Sequence, residues 1–131
     1  MFPYILEELD QQDREIFRQV EASVGKISLA ADHLDFEISC HNLCRALAKI
    51  HNLEVVDGYF TAGFCHSWLT TDSGTIIDPY PPLIVCGPIM IPKRKKPYPT
   101  PWKNIYLPAD IQLNTGKINS QAETIRQFIV S

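Results

Sequence analysis

The stretch Phe64-Cys65-His66-Ser67-Trp68-Leu69-Thr70-Thr71-Asp72-Ser73-Gly74-Thr75-Ile76-Ile77-Asp78-Pro79 decides how this chain folds. Phe64 to Thr70 alternates as a strand does, Thr71 to Gly74 is a turn, and Thr75 to Asp78 is the returning strand. Side chains alternate faces along a strand, so the parity of the register decides which residues can meet. A three-residue type I loop with Gly74 in the left-handed bulge position sets Thr71 opposite Thr75, or the pairing one register away. Either even register puts His66, Trp68 and Asp78 on one face, as direct or diagonal neighbours. A two-residue loop would make the sum odd and separate them, and the glycine after Asp72-Ser73 favours the first arrangement.

Upstream of this hairpin, Ser39 is a good N-cap and Cys40 opens the first turn of a helix. Leu43, Ala46, Leu47 and Ile50 form its buried stripe, and it should end near His51-Asn52. Glu54 to Phe60 reads as a strand. Residues 4–24 read as an earlier helix, with Ile5, Leu6, Leu9, Ile16, Phe17, Val20 and Val24 on one stripe, Pro3 just ahead of it and Gly25 as its stop. Residues 26–37 read as irregular or briefly extended.

Downstream, eight of the ten prolines fall between residues 79 and 101, so 79–102 reads as a wrap over the surface rather than a sheet interior. Leu83-Ile84-Val85 and Ile89-Met90-Ile91 are short strand pieces within it, and Asn104 to Leu107 is a candidate last strand. Ser120-Gln121-Ala122-Glu123 has the pattern of a capping box ahead of Ile125, Phe128 and Ile129, which predicts a short closing helix. No internal repeat and no dividing linker is present. The expectation is one α+β domain over residues 1–131, with an N-terminal helix and the Cys40 helix packed on a small antiparallel sheet.

Composition agrees with a globular chain. Of 131 residues, 45% are hydrophobic and 21% charged, which excludes collagen, low-complexity disorder and long coiled coil. No apolar run approaches the ~20 residues of a membrane span, and the first residues lack the basic and apolar regions of a signal peptide. A cytoplasmic protein is the expectation. The net charge of −3 hides an asymmetry: residues 1–37 carry nine acids and three bases, and residues 93–131 carry seven bases and two acids. Lys93-Arg94-Lys95-Lys96 is one short run without a second basic element, and it reads as a solvated turn beside the prolines. Neither a nucleic-acid nor a membrane partner is expected.

Four cysteines and four histidines are the reactive inventory. Without a secretory leader the cysteines read as free thiols. Cys40 stands apart because a thiol in the first helical turn faces unpaired backbone N–H groups and the positive end of the helix dipole. Both favour the thiolate, and the same N–H groups can receive an oxyanion. Asp78 can accept from one nitrogen of His66, leaving the other for Cys40, which is the logic of nucleophile, base and orienting acid. Trp68 would shield that pair from water. Cys44 is the alternative nucleophile, although one turn further along it loses most of the N-terminal stabilisation. A zinc set from Cys40, His41, Cys44, Cys65 and His66 has the wrong spacing, since adjacent Cys65 and His66 point to opposite sheet faces. No metal and no cofactor is expected.

Ser39-Cys40-His41-Asn42-Leu43-Cys44-Arg45-Ala46-Leu47-Ala48, then Val55 to Phe60, His66-Ser67-Trp68 and Ile76-Ile77-Asp78-Pro79 together resemble the core of papain-like and transglutaminase-like cysteine enzymes. The likeness covers residues 38–80. It implies a Cys40, His66, Asp78 triad and an activity on an amide bond of a protein or peptide, through a thioester: peptidase, glutamine deamidase or transglutaminase-like. The chain lacks a glutamine shortly before Cys40, so a second oxyanion donor is unassigned, with His33, His41 and Asn42 as candidates. His41, Asn42 and Trp68 are the expected substrate-binding or supporting residues. The alternative is a protein-binding module that keeps the fold without turnover and uses the proline-rich stretch with Tyr80, Tyr98 and Trp102.

Overall fold

The computed structural model describes residues 11–61, 63–80, 87–92 and 105–131, and its α+β architecture is organised around the helix that begins at Cys40. The described elements are α1 (Gln11–Ala30), a 3₁₀ turn (Ala31–His33), α2 (Cys40–His51), β1 (Glu54–Phe60), β2 (Phe64–Thr70), β3 (Ile76–Asp78), β4 (Ile89–Ile91), β5 (Tyr106–Pro108) and α3 (Thr115–Val130). The strands form one antiparallel sheet in the order β4-β3-β2-β1-β5.

Helix α2 begins and ends on local chemistry. Ser39 is extended (φ −119°, ψ 166°), and its hydroxyl accepts from the Asn42 N–H at 3.2 Å. Asn42 Oδ1 returns the favour to the Ser39 N–H at 2.9 Å, so asparagine completes a capping box usually closed by Glu or Gln. At the other end Asn52 takes the left-handed conformation, φ 55°. Leu43, Cys44, Ala46 and Leu47 turn one face inward. They join Val20 and Ile27 of α1, Leu69, Ile77 and Met90 of the sheet, and Ala122, Ile125 and Ile129 of α3 in one core. Each fully buried aliphatic side chain there is worth about 2 kcal/mol of burial. Helix α2 therefore lies between α3 and the strands β1 and β2.

The hairpin register is the even one. Leu69 pairs with Ile77 and Thr70 with Ile76, and the Thr71 N–H donates to the Thr75 carbonyl at 3.0 Å. Gly74 has φ 87°, the conformation a side chain resists. At the other edge β5 runs very close to β1: a Cβ on Gly58 would lie 2.0 Å from the Leu107 carbonyl oxygen, so only glycine fits there.

Two helix boundaries differ from expectation. Helix α1 does not stop at Gly25 but continues to Ala30, with the 3₁₀ turn following, so residues 26–33 are not irregular. Ile27, only 2% exposed, anchors that extra turn in the core, and this packing outweighs the helix penalty of one glycine. The closing helix starts at Thr115 rather than after Ser120, because Asn114 is the N-cap and accepts from the Lys117 N–H at 3.2 Å. The last strand is Tyr106–Pro108. Residues 4–10 of the expected first helix, the piece 83–85, Cys86, the basic run 93–96, Tyr98 and Trp102 lie outside the described residues, as does most of the expected wrap. Among the described residues no helix is long and apolar enough to cross a membrane.

Candidate active site

Cys40 stands at the first position of α2, half-buried, and the cap decides which amides surround it. The Ser39 and Asn42 N–H groups are spent inside the capping box. The amides of Cys40 and His41 lie between them, at helix positions with no intrahelical acceptor. Asn42 is fully buried, and its side-chain nitrogen donates to the Glu37 carbonyl and to Gln121 Oε1, both at 3.0 Å. Asn42 is thus occupied in holding the helix start against α3 and has no donor left for an oxyanion. His33, in the 3₁₀ turn, is exposed.

His66 is 1% exposed and Asp78 0%. Their side chains meet at 2.8 Å between Nε2 and Oδ2. Asp78 Oδ2 also accepts from the Tyr106 hydroxyl at 2.7 Å, and Oδ1 accepts from the Tyr80 N–H at 3.1 Å. The carboxylate therefore accepts three hydrogen bonds, which fix its orientation. Tyr106 sits on β5, three strands from β3 in the sheet order. Flat strands would stand roughly 14 Å apart over that span, too far for a tyrosine to bridge, so the sheet curls to bring them together.

Phe60, Trp68 and Tyr106 surround the His66 ring. Trp68 stacks on it at 6.2 Å between centroids, and Phe60 meets it edge-on at 5.7 Å. Trp68 is 2% exposed, so its ring covers the imidazole from inside the fold. Burial by these rings opposes a charged imidazole. The hydrogen bond to Asp78, with a further one to Cys40, outweighs it and lifts His66 to about 9. Because Nε2 is taken by Asp78, Nδ1 is the nitrogen left for the sulfur.

Burial pushes the Cys40 thiol up as well. Hydrogen bonds from His41, His66 and the Ser67 backbone N–H more than reverse this and bring it down to about 6. Cys44 has the opposite setting. It is fully buried, its thiol donates to the Ser67 carbonyl at 3.3 Å, and burial followed by the nearby Asp78 charge pushes it well above the usual thiol range. Cys40, Cys44 and Cys65 are all free thiols.

A second polar chain flanks Cys40. His41 Nδ1 lies 2.7 Å from Ser67 Oγ, the Ser67 hydroxyl donates to Asp57 Oδ1 at 2.5 Å, and Arg45 pairs with Asp57 Oδ2 at 2.7 Å. Sequence reasoning named His41 but missed Ser67, Asp57, Arg45 and Tyr106. The Asp57↔Ser67 pairing follows from the β1–β2 hairpin, so that part was open to the register argument applied to β2 and β3.

Two grooves flank the segment that leads into Cys40. One, of about 1170 Å³, is lined by Val24, Ile27, Phe36, Ile38 and Tyr80. The other, of about 810 Å³, includes Ser39, Lys117 and Gln121. Among the described residues no three Cys, His, Asp or Glu side chains are grouped to hold a metal ion. No family model, curated protein or solved structure matches the chain.

Proposed function

We propose that this protein is a cysteine-dependent hydrolase or acyl transferase acting on amide bonds of a protein or peptide, with a core of the papain-like and transglutaminase-like kind. The observation that carries this reading is the line Cys40, His66, Asp78, in which one imidazole joins a thiol at a helix start to a buried carboxylate at 2.8 Å. Cys40 and His66 hold opposite charges between about pH 6 and about 9, so the resting pair is thiolate and imidazolium.

The thiolate attacks the amide carbonyl, and the oxyanion is received by the Cys40 and His41 amides at the helix start. His66 gives its Nδ1 proton to the leaving nitrogen as the C–N bond breaks, which leaves a thioester on Cys40. His66, now neutral, takes a proton from water or from an acceptor amine as that nucleophile attacks the thioester. The C–S bond then breaks, and thiolate and imidazolium are restored. Asp78 keeps the imidazole in register throughout, and Tyr106 keeps Asp78 in place. Hydrolysis, deamidation and transamidation share the first half of this sequence and differ in the acceptor.

The test needs no knowledge of the natural substrate. p-Nitrophenyl acetate should give a burst of p-nitrophenol and one acetyl group on Cys40, removable by hydroxylamine and absent from Cys40→Ala. A burst unchanged in Cys40→Ala, or an acetyl group on another residue, would overturn the assignment. A peptide pool containing glutamine, assayed for ammonia and for new amino termini, then separates deamidation from peptide cleavage.

A further inference from the structure

We propose that the larger groove beside Cys40 is where the substrate docks, and that it takes an extended stretch of protein carrying an apolar side chain next to arginine or lysine. The inference rests on the reading of Cys40 as nucleophile and deepens it by naming the chemistry of the substrate.

The walls of this groove are the two segments that adjoin the reactive line. Glu37 and Ile38, just ahead of Ser39 and Cys40, form one side. Pro79 and Tyr80 form the other: Pro79 follows Asp78 directly, and the Tyr80 N–H donates to Asp78 Oδ1 at 3.1 Å. At about 3.3 Å per extended residue, Ile38 stands within roughly 7 Å of Cys40. A chain lying between these walls is therefore brought to the sulfur. The volume of about 1170 Å³ exceeds the roughly 300–1,000 Å³ of pockets that enclose a small molecule, and it suits several residues of peptide.

The base of the groove is apolar and its rim is acidic. Ile27 of α1 and Leu43 of α2, each 2% exposed, lie at the base. Between Leu34 and Ser39, both extended, exposure alternates: Leu34, Phe36 and Ile38 pack on the core, and Asp35 and Glu37 face solvent. Asp32, Asp35 and Glu37 all line the groove, and none of its described lining residues is basic. Among the described residues no cationic side chain pairs with any of the three. Tyr80, half-exposed, adds an aromatic face on which a guanidinium can stack. The smaller groove differs, since Lys117 shares it with Asp35 and Glu37 and most of its lining is polar.

These features assign two parts to the occupant. An apolar side chain finds the base of the groove, and a neighbouring cation meets the acidic rim. Exposed carboxylates steer a cation more than they hold it, so the charge preference shows in the rate of capture and weakens with salt.

The test uses chloroacetamide-capped tetrapeptides that alkylate Cys40, read by peptide mass spectrometry, with each rate divided by the iodoacetamide rate of the same protein. One probe reads glycine-leucine-arginine-arginine, a second has glutamates for the arginines, and a third has serine for the leucine. Sets capped at the amino end and at the carboxyl end cover both chain directions. In one set the arginine probe should label Cys40 roughly tenfold faster than the glutamate probe at low salt, and about twofold faster at 0.5 M salt. The serine probe should be slower by roughly tenfold. Asp32→Lys combined with Asp35→Lys, both exposed positions, should erase or invert the charge preference, and Glu54→Lys, an exposed charge outside the groove, should leave it. Rapid iodoacetamide labelling with equal rates for the arginine and glutamate probes in both sets overturns this inference alone, as does a preference that survives the double charge reversal. Labelling that slows as protein concentration rises would give the groove to a second copy of the chain, which also overturns it. An iodoacetamide rate no faster than that of an ordinary thiol overturns the nucleophile assignment and this inference with it.

Discussion

Cys40 and Cys44 lie one turn apart on one face of one helix and have opposite chemistry. Cys40, at the first helical position and half-buried, is brought down to about 6 by His41, His66 and the Ser67 amide, against its burial. Cys44, fully enclosed, has a backbone carbonyl for a partner, and burial pushes its thiol up. Burial pushes both thiols up, and it is complete only at Cys44. What reverses the direction at Cys40 is the kind of neighbour. Donors that point at Cys40 favour a thiolate, and an acceptor that points at Cys44 favours a thiol. Four residues of chain separate a candidate nucleophile from a packing residue.

The sharpest way to break this comparison is to exchange each thiol for a methyl group. Cys40→Ala should lower turnover, on whatever amide or ester is found, by about a thousandfold or more. Cys44→Ala should leave it within about threefold while costing roughly 1 kcal/mol of stability, read from a thermal melt. Equal losses in the two variants would erase the distinction. Asp78→Asn comes next: it removes the charge that holds His66 and should cost roughly a hundredfold in turnover. Tyr106→Phe removes one hydrogen bond to the same carboxylate and should cost about tenfold.

The pH dependence sharpens the same contrast. Turnover should rise through about pH 6 as Cys40 ionises and fall through about pH 9 as His66 loses its proton. Stability should behave differently. A histidine raised on folding contributes stability below its unfolded value and loses it as pH climbs through its folded value. A thiol depressed on folding does the reverse, gaining as pH rises from its folded value toward its unfolded one. Between about pH 6.5 and 9 the two slopes oppose, and the melting temperature of the wild type should stay nearly flat across that window. In Cys40→Ala the histidine is unopposed, and stability should fall with rising pH by about 1 kcal/mol. The smallest effect is expected from Ser39→Ala. It should cost about 1 kcal/mol of helix capping and raise the Cys40 midpoint by a few tenths of a unit, with Cys44 unmoved.

Local chemistry explains what could be read in advance. The Ser39 cap and the even register set by Gly74 are decided within a few residues, and both stand in the structure. From them the approach of His66 to Asp78 follows. What was illegible depends on partners distant in sequence. Gly25 is a helix breaker by type, yet Ile27 packs into a core built from α2, α3 and the sheet, and the helix runs through. Ser120 has the right neighbours for a cap, but Asn114 supplies one earlier and the helix is already under way. Tyr106 reaches Asp78 only because the sheet curls, and no spacing in the sequence encodes that curl. Arg45 and Asp57 meet across the α2–β1 connection, a contact set by how the helix lies on the strand.

The measurement that bears most directly on the account is competitive labelling of the two thiols in the folded wild type with iodoacetamide at pH 6.5, resolved by peptide mass spectrometry. The account predicts rapid labelling of Cys40 and none of Cys44, with Cys44 becoming reactive only on denaturation. Slow labelling of Cys40 at a rate typical of an ordinary exposed thiol, or labelling of Cys44 ahead of it, would contradict the account.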